Sequence, residues 1–401
     1  MNRPHPAWPV LATATLVVFG SLGLARFGYS ILLPSMQRGL GMDNTQAGVL
    51  ATANLVGYLV FSVLGGALAS RFGPRKVIFA GLSTAGLGMV LTGLAPDAFW
   101  AGVWRLVTGL GSGASNVPVM GLMAAWFAGS RRGFAAGVAV SGSSLALILL
   151  GPLVPRLLTA TGPDGWRLCW EIFGAAALGL AILSFLVLRD NPGQRGAKPL
   201  GQDPPRTAPP ADPSIYRSVY RSPRVWHLGA VYVAFGFSYI IYMTFFVKRL
   251  MADGGYSREA AGNLFMLLGW CSVFCGLLWG TVSDKIGRKR ALVLVYLIHA
   301  LSFGLFAAWP APPGFILSAI LFGLSAWSIP AIMAAACGDV LGPVLAPAAL
   351  GFITLFFGIG QALGPVVAGA MADAAGSFTP AFVLAAGVAL SGAVMAAFIR
   401  R

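Results

Sequence analysis

Long apolar stretches separated by short polar breaks occupy most of this sequence. Twelve of them approach or exceed the length of about 20 residues that a helix needs to cross a lipid bilayer. Charged residues make up only 10% of the chain, whereas soluble domains are about 25% charged. The stretches are continuously apolar rather than alternating, which excludes a membrane-spanning β-barrel. We therefore predict an all-α membrane protein with 12 transmembrane helices.

The predicted spans are bounded by residues typical of turns and helix starts, such as Asp43, Asp97 and Ser257. The first apolar run is longer than the core of a signal peptide, so we interpret it as a span. The predicted spans cover residues 10–33, 46–69, 77–94, 98–124, 133–155, 168–188, 225–248, 259–282, 291–308, 314–336, 346–370 and 379–399.

A polar stretch over residues 189–224, rich in Pro and Gly, predicts a flexible cytoplasmic linker. It separates a bundle of six helices at 1–188 from a second bundle of six at 225–401. Motif residues recur in both bundles at a nearly constant offset. The recurring pairs are Gly66 and Gly280, Gly73 and Gly287, Gly111 and Gly323, Pro118 and Pro330, and Gly151-Pro152 and Gly364-Pro365. A duplicated six-helix unit is typical of transporters whose halves rock around a central site.

The basic residues are unevenly distributed between the two sides of the predicted spans. With the N-terminus inside, most of the 27 Lys and Arg residues fall in cytoplasmic segments. The positive-inside rule then places both termini in the cytoplasm of a multi-pass inner-membrane protein. Topology thus explains the net charge of +15, and we expect no nucleic-acid partner.

Three motifs resemble those of the major facilitator superfamily. The loop Gly280-x3-Asp284-Lys285-x-Gly287-Arg288-Lys289 fits the signature of that family, whereas its first-half copy departs from it at Ser70 and Pro74. Arg105-x3-Gly109-x-Gly111-x-Gly113 resembles the fourth-helix motif of the family, and Gly151-Pro152 resembles its fifth-helix motif. The resemblance implies two pseudo-symmetric six-helix bundles and secondary transport by alternating access. It also implies a role in structure or proton coupling for Arg105.

The first span carries Ala25-Arg26-Phe27-Gly28-Tyr29, and Gly165-Trp166-Arg167 precedes the sixth. Both segments are similar to bacterial organic-anion permeases of the oxalate-formate and monocarboxylate branches. This similarity implies small organic anions as substrates. The eighth and eleventh predicted spans contain no Arg or Lys where dicarboxylate exchangers carry theirs, which favours a monoanion.

Arg26 is the charged residue of greatest functional interest because charges inside apolar spans are costly and face a cavity or a partner. The guanidinium suits bidentate binding of an anionic group. The alternative is a structural arginine that reaches the membrane surface or pairs with backbone carbonyls. No acidic residue lies at a matching depth, so we predict that Arg26 binds the substrate.

Polar and aromatic side chains on several helices complete the predicted binding site. Each of them could instead form hydrogen bonds that hold helices together, but as a set they indicate a cavity with a few polar groups and aromatic walls. The predicted substrate-binding residues are Arg26, Tyr29, Asn54, Tyr58, Asn116, Tyr239, Tyr242, Asn263, Trp270, Trp327 and Gln361.

The two signature loops are predicted to form a cytoplasmic gate. The gating residues would be Ser70, Arg71, Arg75, Asp284, Lys285 and Arg288. Asp284 would pair with a basic residue and cap a helix of the other half. Asp284→Asn is then expected to favour inward-facing states, and unchanged accessibility in cysteine labelling would argue against this role.

Other function classes find little support. The three His residues lack acidic neighbours at helical spacing and the Cys residues lack metal-type spacing, so we predict no enzyme, metal site or cofactor. No Walker loop for ATP is present.

The acidic residues lie at predicted helix ends or in loops, which favours uniport or exchange. The sequence does not decide whether an ion is co- or counter-transported. An exporter of apolar drug-like compounds or metabolites driven by ion exchange remains the alternative. The expected partners are the lipid bilayer and a small anionic substrate, and the expected state is a monomer.

Overall fold

The computed structural model describes residues 5–201 and 214–399. Within them, ten helices are long and apolar enough to cross a membrane, or 11 if one bent pair counts as a span. This confirms the predicted all-α membrane class. Residues 202–213 of the predicted linker, and the terminal Arg3, Arg400 and Arg401 used for the predicted topology, lie outside the described residues.

The chain divides into two compact units. The first contains Met1–Met42 and Ala53–Arg206, and the second contains Asp43–Thr52 and Thr207–Arg401. Six long helices lie wholly or mostly in the first unit, and each overlaps one predicted span. They are α1 (Ala7–Leu40), α2 (Asn44–Phe72), α3 (Pro74–Gly93), α4 (Ala98–Trp126), α5 (Gly129–Thr161) and α6 (Gly165–Val187).

Local residues explain where these helices begin. The side chain of Asp97 accepts a hydrogen bond from the backbone N–H of Trp100 and caps α4. Gly73 precedes α3 with a φ of 89°, a conformation that favours glycine, and Pro74 follows at the first helical turn. The predicted break at Asp97 is thus seen as a helix cap, and the Gly73-Pro74 pair forms a sharp turn before α3.

The middle of α1 is not an ordinary α-helix. Residues Phe19–Phe27 form a π-helix, whose last turn carries Arg26. A Cβ atom at Gly23 would lie 2.2 Å from the Cβ atom of Ala146, so this glycine lets the π-helix approach α5 closely. π-Helical turns are rare and occur frequently at functional sites.

The glycine motif of α4 lies at helix contacts within the first unit. A Cβ atom at Gly109 would lie 2.0 Å from the carbonyl oxygen of Asn54 on α2. A Cβ atom at Gly111 would lie 2.3 Å from the backbone nitrogen of Ala85 on α3. The small residues thus allow backbone-to-backbone approach on two sides of one helix, as in other membrane bundles.

The second unit follows a short helix, α7 (Ser214–Arg221), which lies within the predicted linker. Its helices are α8 (Pro223–Ala252), α9 (Arg258–Val273), α10 (Cys275–Ile286), α11 (Arg288–Ala308), α12 (Pro312–Gly323), α13 (Ser328–Ala375) and α14 (Thr379–Ala397). The predicted eighth span is bent by 47° between α9 and α10. Helix α13 contains a break at Gly342, whose φ of 78° is not helical, and this break separates the predicted tenth and eleventh spans.

The start of the predicted linker packs against the first unit instead of lying free. The backbone N–H of Leu200 donates to the carbonyl of Trp126 at 2.9 Å, and the Trp126 indole donates to the carbonyl of Arg189 at 2.8 Å. These bonds hold both ends of residues 189–200 on the end of α4. The sequence pattern alone indicates a flexible chain here.

The first residues of α2 belong to the second unit. The carboxylate of Asp373, on α13, accepts hydrogen bonds from the backbone N–H groups of Asn44 at 3.0 Å and Thr45 at 2.7 Å. A carboxylate is favourable at a helix N-terminus because it compensates unpaired N–H groups and the helix dipole. A residue 329 positions away in the sequence therefore caps α2.

Candidate functional site

Arg26 lies in the first unit, half-buried at the end of the π-helix. Its Cζ atom is 4.2 Å from the centre of the Tyr58 ring on α2. The Nε and Nη2 atoms are buried and have no hydrogen-bond partner within the described residues. These two atoms form one edge of the guanidinium, the geometry that pairs with both oxygens of a carboxylate or related anion. The edge that could bind an anion therefore has no hydrogen-bond acceptor within the described residues.

Tyr58 connects Arg26 to Asn116 on α4. The Nδ2 atom of Asn116 donates to the Tyr58 hydroxyl oxygen at 2.9 Å. Asn116 is only 9% exposed, and its Oδ1 atom is buried without a hydrogen-bond partner within the described residues. The Arg26 guanidinium thus lies against the face of the Tyr58 ring, and the Asn116 carboxamide lies at the hydroxyl end of that ring. Three predicted site residues from three helices form this cluster, which we call the Arg26 cluster.

Arg105 is buried on α4 and holds the helix that carries Arg26. Its Nη1 atom donates to the carbonyl oxygen of Ala25, the residue before Arg26, at 2.6 Å. The guanidinium lies 4.9 Å from the ring centres of both Tyr29 and Trp170. These contacts join α1, α4 and α6 through backbone and aromatic groups. The predicted role of Arg105 in structure or proton coupling stays a prediction.

Tyr29 and Asn54 lie in contacts around Arg105. Tyr29 is 2% exposed and faces the Arg105 guanidinium. The Nδ2 atom of Asn54 donates to the carbonyl oxygen of Arg105 at 3.1 Å, which joins α2 to α4. These contacts connect helices of the first unit. The predicted role of both side chains in substrate binding stays a prediction.

In the second unit, the structure brings together Tyr239, Trp327 and Gln361. The Nε2 atom of Gln361 donates to the Tyr239 hydroxyl oxygen. The Tyr239 ring stacks on Phe357 at 5.9 Å and meets Trp327 edge-on at 6.5 Å. Gln361 is 1% exposed. These residues form an aromatic wall with one buried amide. Their predicted role in substrate binding stays a prediction.

Three further predicted residues lie elsewhere in the second unit. Tyr242 is buried in an aromatic core, where its hydroxyl group and Ser318 Oγ are 2.9 Å apart. Asn263 and Trp270 lie on α9 with exposed side chains, 52% in the case of Trp270. The predicted role of these three residues in substrate binding stays a prediction.

Arg249 is a buried arginine that the sequence analysis places outside the spans. Helix α8 ends at Ala252, beyond the predicted limit at residue 248, so Arg249 is helical. Its side chain is only 2% exposed. It forms an ion pair with Asp253, and its Nη2 atom donates to the carbonyl oxygen of Ala307 at 3.1 Å. Asp253 in turn accepts from the backbone N–H of Phe378. The i, i+4 spacing of Arg249 and Asp253 is the available sequence signal for this structural pair.

The predicted gating residues form contacts within their own units. In the second unit, Arg288 at the start of α11 pairs with Asp284 near the end of α10. The Arg288 Nε atom also lies 3.6 Å from Asp339 Oδ2 on α13, and Lys285 is exposed. In the first unit, Arg71 lies 5.3 Å from the Phe72 ring and Ser70 Oγ donates to the carbonyl of Gly66. Their gating role stays a prediction.

Asp190 is a residue of this region that the sequence analysis does not single out. Its Oδ1 atom accepts from the backbone N–H of Arg75 at 2.8 Å and so caps the start of α3. The Arg75 Nε atom donates to the carbonyl of Phe185 at 2.7 Å. The first-half signature loop lacks an acid at Ser70, and Asp190 supplies a carboxylate near it from the start of the linker.

Two units of long apolar helices, with a repeated glycine motif and a signature loop, define a multi-pass membrane transporter of the major facilitator superfamily. Comparison with known protein families supports this assignment. A family model described as "Uncharacterised MFS-type transporter YbfB" matches residues 18–397, and the chain belongs to that family. The predicted family and fold class are confirmed, as is the prediction that the protein is a transporter and not an enzyme.

Curated relatives cover almost the whole chain. It is 26% identical to the "Probable sulfoacetate transporter SauU" of Cupriavidus necator, with 93% of this chain and 89% of that protein covered. It is 25% identical to the hexuronate transporter of Bacillus subtilis, with 92% and 88% covered. It is 26% identical to human monocarboxylate transporter 11, with 97% and 83% covered.

Solved structures show the same fold at lower identity. A bacterial homolog of the human lysosomal transporter Spinster, in an inward-facing and unoccupied conformation, matches with a TM-score of 0.75 at 18% identity. The match covers 100% of this chain and 95% of that one. A point mutant of the nucleoside transporter NupG matches with a TM-score of 0.76 at 13% identity, covering 98% of this chain and 100% of that one.

Proposed function

We propose that this protein is a secondary transporter that moves small organic anions across the cytoplasmic membrane by alternating access. The observation that carries the proposal is the Nε and Nη2 edge of Arg26, whose two atoms are buried without a hydrogen-bond partner within the described residues. Buried guanidinium N–H groups without a hydrogen-bond acceptor are costly in a bundle surrounded by lipid. An anionic group that pairs with this edge would compensate the cost. The excess of Lys and Arg in the predicted inner segments supports cytoplasmic termini.

The relatives support this substrate class. Three that cover most of the chain are named for the transport of sulfoacetate, hexuronate and monocarboxylates. All of these compounds carry a carboxylate, and sulfoacetate carries a sulfonate as well. In this protein, the single cation of the Arg26 cluster suits a substrate with one anionic group. A monocarboxylate or a compound of similar size fits this arrangement best.

The test of the proposal is uptake into proteoliposomes that contain the purified protein. A panel of labelled short carboxylates and sulfonates should include at least one anion with saturable uptake, which unlabelled anions of the same class inhibit. The aromatic wall around Tyr239 would also suit apolar cargo. Transport of apolar compounds without inhibition by carboxylates would favour the alternative, an exporter with a structural Arg26.

Asn116 indicates a second feature of the substrate. Its buried Oδ1 atom accepts no hydrogen bond within the described residues, although a buried polar atom without a partner is destabilising. The Tyr58 hydroxyl group accepts from Asn116 Nδ2, so its own proton is available to a substrate. We therefore expect the anion to carry a hydroxyl group, which can donate to Asn116 Oδ1 and accept from Tyr58.

Asn116→Leu is expected to remove a preference for hydroxylated anions. The wild-type protein should transport a hydroxy acid at least about tenfold more efficiently than the same acid without its hydroxyl group. The variant should lose most of that ratio, measured as competition in the uptake assay. Ser115→Ala is the matched control, since Ser115 lies next to Asn116 but donates to Gly111 within its own helix. An equal loss for both acids would contradict this role.

A further inference from the structure

A basic cavity lies at one end of the second unit, apart from the residues discussed as the substrate site. Its volume is about 1050 Å³, and its lining includes Arg288, Lys289, Arg290, Val340, Phe398 and Ile399. A neighbouring cavity of about 470 Å³ shares Val340, Phe398 and Ile399 and adds Arg224 and His227. Both therefore share one apolar wall, and we call the two together the basic groove.

The charge of the basic groove is strongly positive and largely uncompensated. Asp339 is the acidic residue in its lining, and it faces Arg288 at 3.6 Å. Arg288 is further paired with Asp284. Lys289, Arg290 and Arg224 form no ion pair within the described residues. Three cations thus remain available to a ligand, which indicates an anionic one.

The position of the groove relative to the spans indicates what kind of anion it would bind. Two spans, Pro223–Ala252 and Arg288–Ala308, begin beside it, and two others, Pro312–Gly342 and Thr379–Ala397, end there. The groove therefore lies at the level where the hydrocarbon core of a bilayer meets the headgroups. Its cations are at the polar edge, and Phe398, Ile399 and Val340 supply the apolar side.

We propose that the basic groove binds the phosphate headgroup of an anionic phospholipid. Lys289, Arg290 and Arg224 would contact the phosphate, and the apolar wall would contact the upper part of the acyl chains. Basic pockets between transmembrane helices at a membrane surface commonly bind anionic lipid headgroups. This proposal does not depend on the substrate or on the direction of transport.

The experiment is native mass spectrometry of the full-length protein titrated with phosphatidylglycerol or phosphatidylcholine. The wild-type protein should retain phosphatidylglycerol preferentially. The double variant Lys289→Gln/Arg290→Gln should lose about tenfold or more of that preference, since each cation near a membrane surface contributes substantially to anionic lipid binding. Arg224→Gln, in the neighbouring cavity, should give a smaller loss in the same direction.

The control variant is Arg131→Gln/Arg132→Gln, which removes two exposed cations from the first unit. It should retain the wild-type preference, and size-exclusion chromatography should show that all variants are folded. Equal lipid binding by the wild-type protein and the Lys289/Arg290 variant would overturn the proposal. The chain's own residues 202–213, which include Asp203 and Asp212, are the rival occupant. If phosphatidylglycerol binds only after these residues are deleted, the groove serves the linker and not a lipid.

Discussion

Arg26→Ala is expected to reduce the uptake of organic anions by roughly 10- to 100-fold, because it removes the guanidinium edge of the Arg26 cluster that is proposed to bind the anion. A hydrogen bond to a charged group contributes about 1.5–3 kcal/mol, and the bidentate geometry of arginine and carboxylate is among the strongest of its kind. The measurement is the initial rate of uptake into proteoliposomes at several substrate concentrations. Arg26→Lys should restore part of the activity, because lysine keeps the charge but cannot pair with two oxygens in a plane.

Arg38→Gln is the matched control for this experiment. Arg38 lies on the same helix as Arg26, but its side chain is exposed and its Nε atom donates to the carbonyl of Pro34. Uptake by this variant should equal that of the wild-type protein. If Arg26→Ala transports anions as well as Arg38→Gln does, Arg26 is structural and the proposed binding site is wrong.

Gly109→Ala is expected to destabilise the first unit strongly. The added Cβ atom would lie 2.0 Å from the carbonyl oxygen of Asn54, 2.8 Å from its carbonyl carbon and 3.0 Å from its Cα atom. Backbone atoms cannot yield as a flexible side chain can, so α4 and α2 must move apart. Overpacking of this kind typically costs about 1–3 kcal/mol. The measurement is the midpoint of thermal unfolding in detergent, together with the yield of monodisperse protein.

Gly121→Ala tests the same substitution on the same helix without the clash. No atom lies within 4 Å of a Cβ placed at Gly121. Since alanine is the better helix former by about 0.5–1 kcal/mol, this variant should be as stable as the wild-type protein or more so. An equal loss of stability in both variants would mean that the contact of α4 with α2 does not explain the effect of Gly109→Ala, since nothing lies close to a Cβ atom at Gly121.

The helices and the family could be predicted because both depend on local patterns. Runs of about 20 apolar residues suffice to identify spans, and the loop from Gly280 to Lys289 carries a motif that survives at low identity. Boundaries were less predictable. The predicted span ends at residue 248 and so excludes Arg249, which lies within α8. An arginine at the end of an apolar run resembles a loop residue unless its partner Asp253 is known.

The candidate site was only partly predictable for a different reason. Sequence spacing identifies polar residues on a helix, but it does not show which of them already have partners. Asn54 and Tyr242 are polar residues in spans, as Asn116 is, yet Asn54 donates to a backbone carbonyl and Tyr242 pairs with Ser318. Among the predicted substrate-binding residues, only Arg26 and Asn116 keep buried polar atoms without hydrogen-bond partners within the described residues.

The amino-acid order alone established that this protein is a duplicated helical membrane transporter, because a bilayer accepts few solutions for an apolar chain. The three-dimensional packing decided everything that depends on contacts between distant residues. It placed Arg105 against the carbonyl of Ala25, formed a π-helix that includes Arg26 and left one edge of the Arg26 guanidinium without a hydrogen-bond partner within the described residues. Such features arise from the way neighbouring helices meet, and a linear pattern of apolar and polar residues does not contain that information.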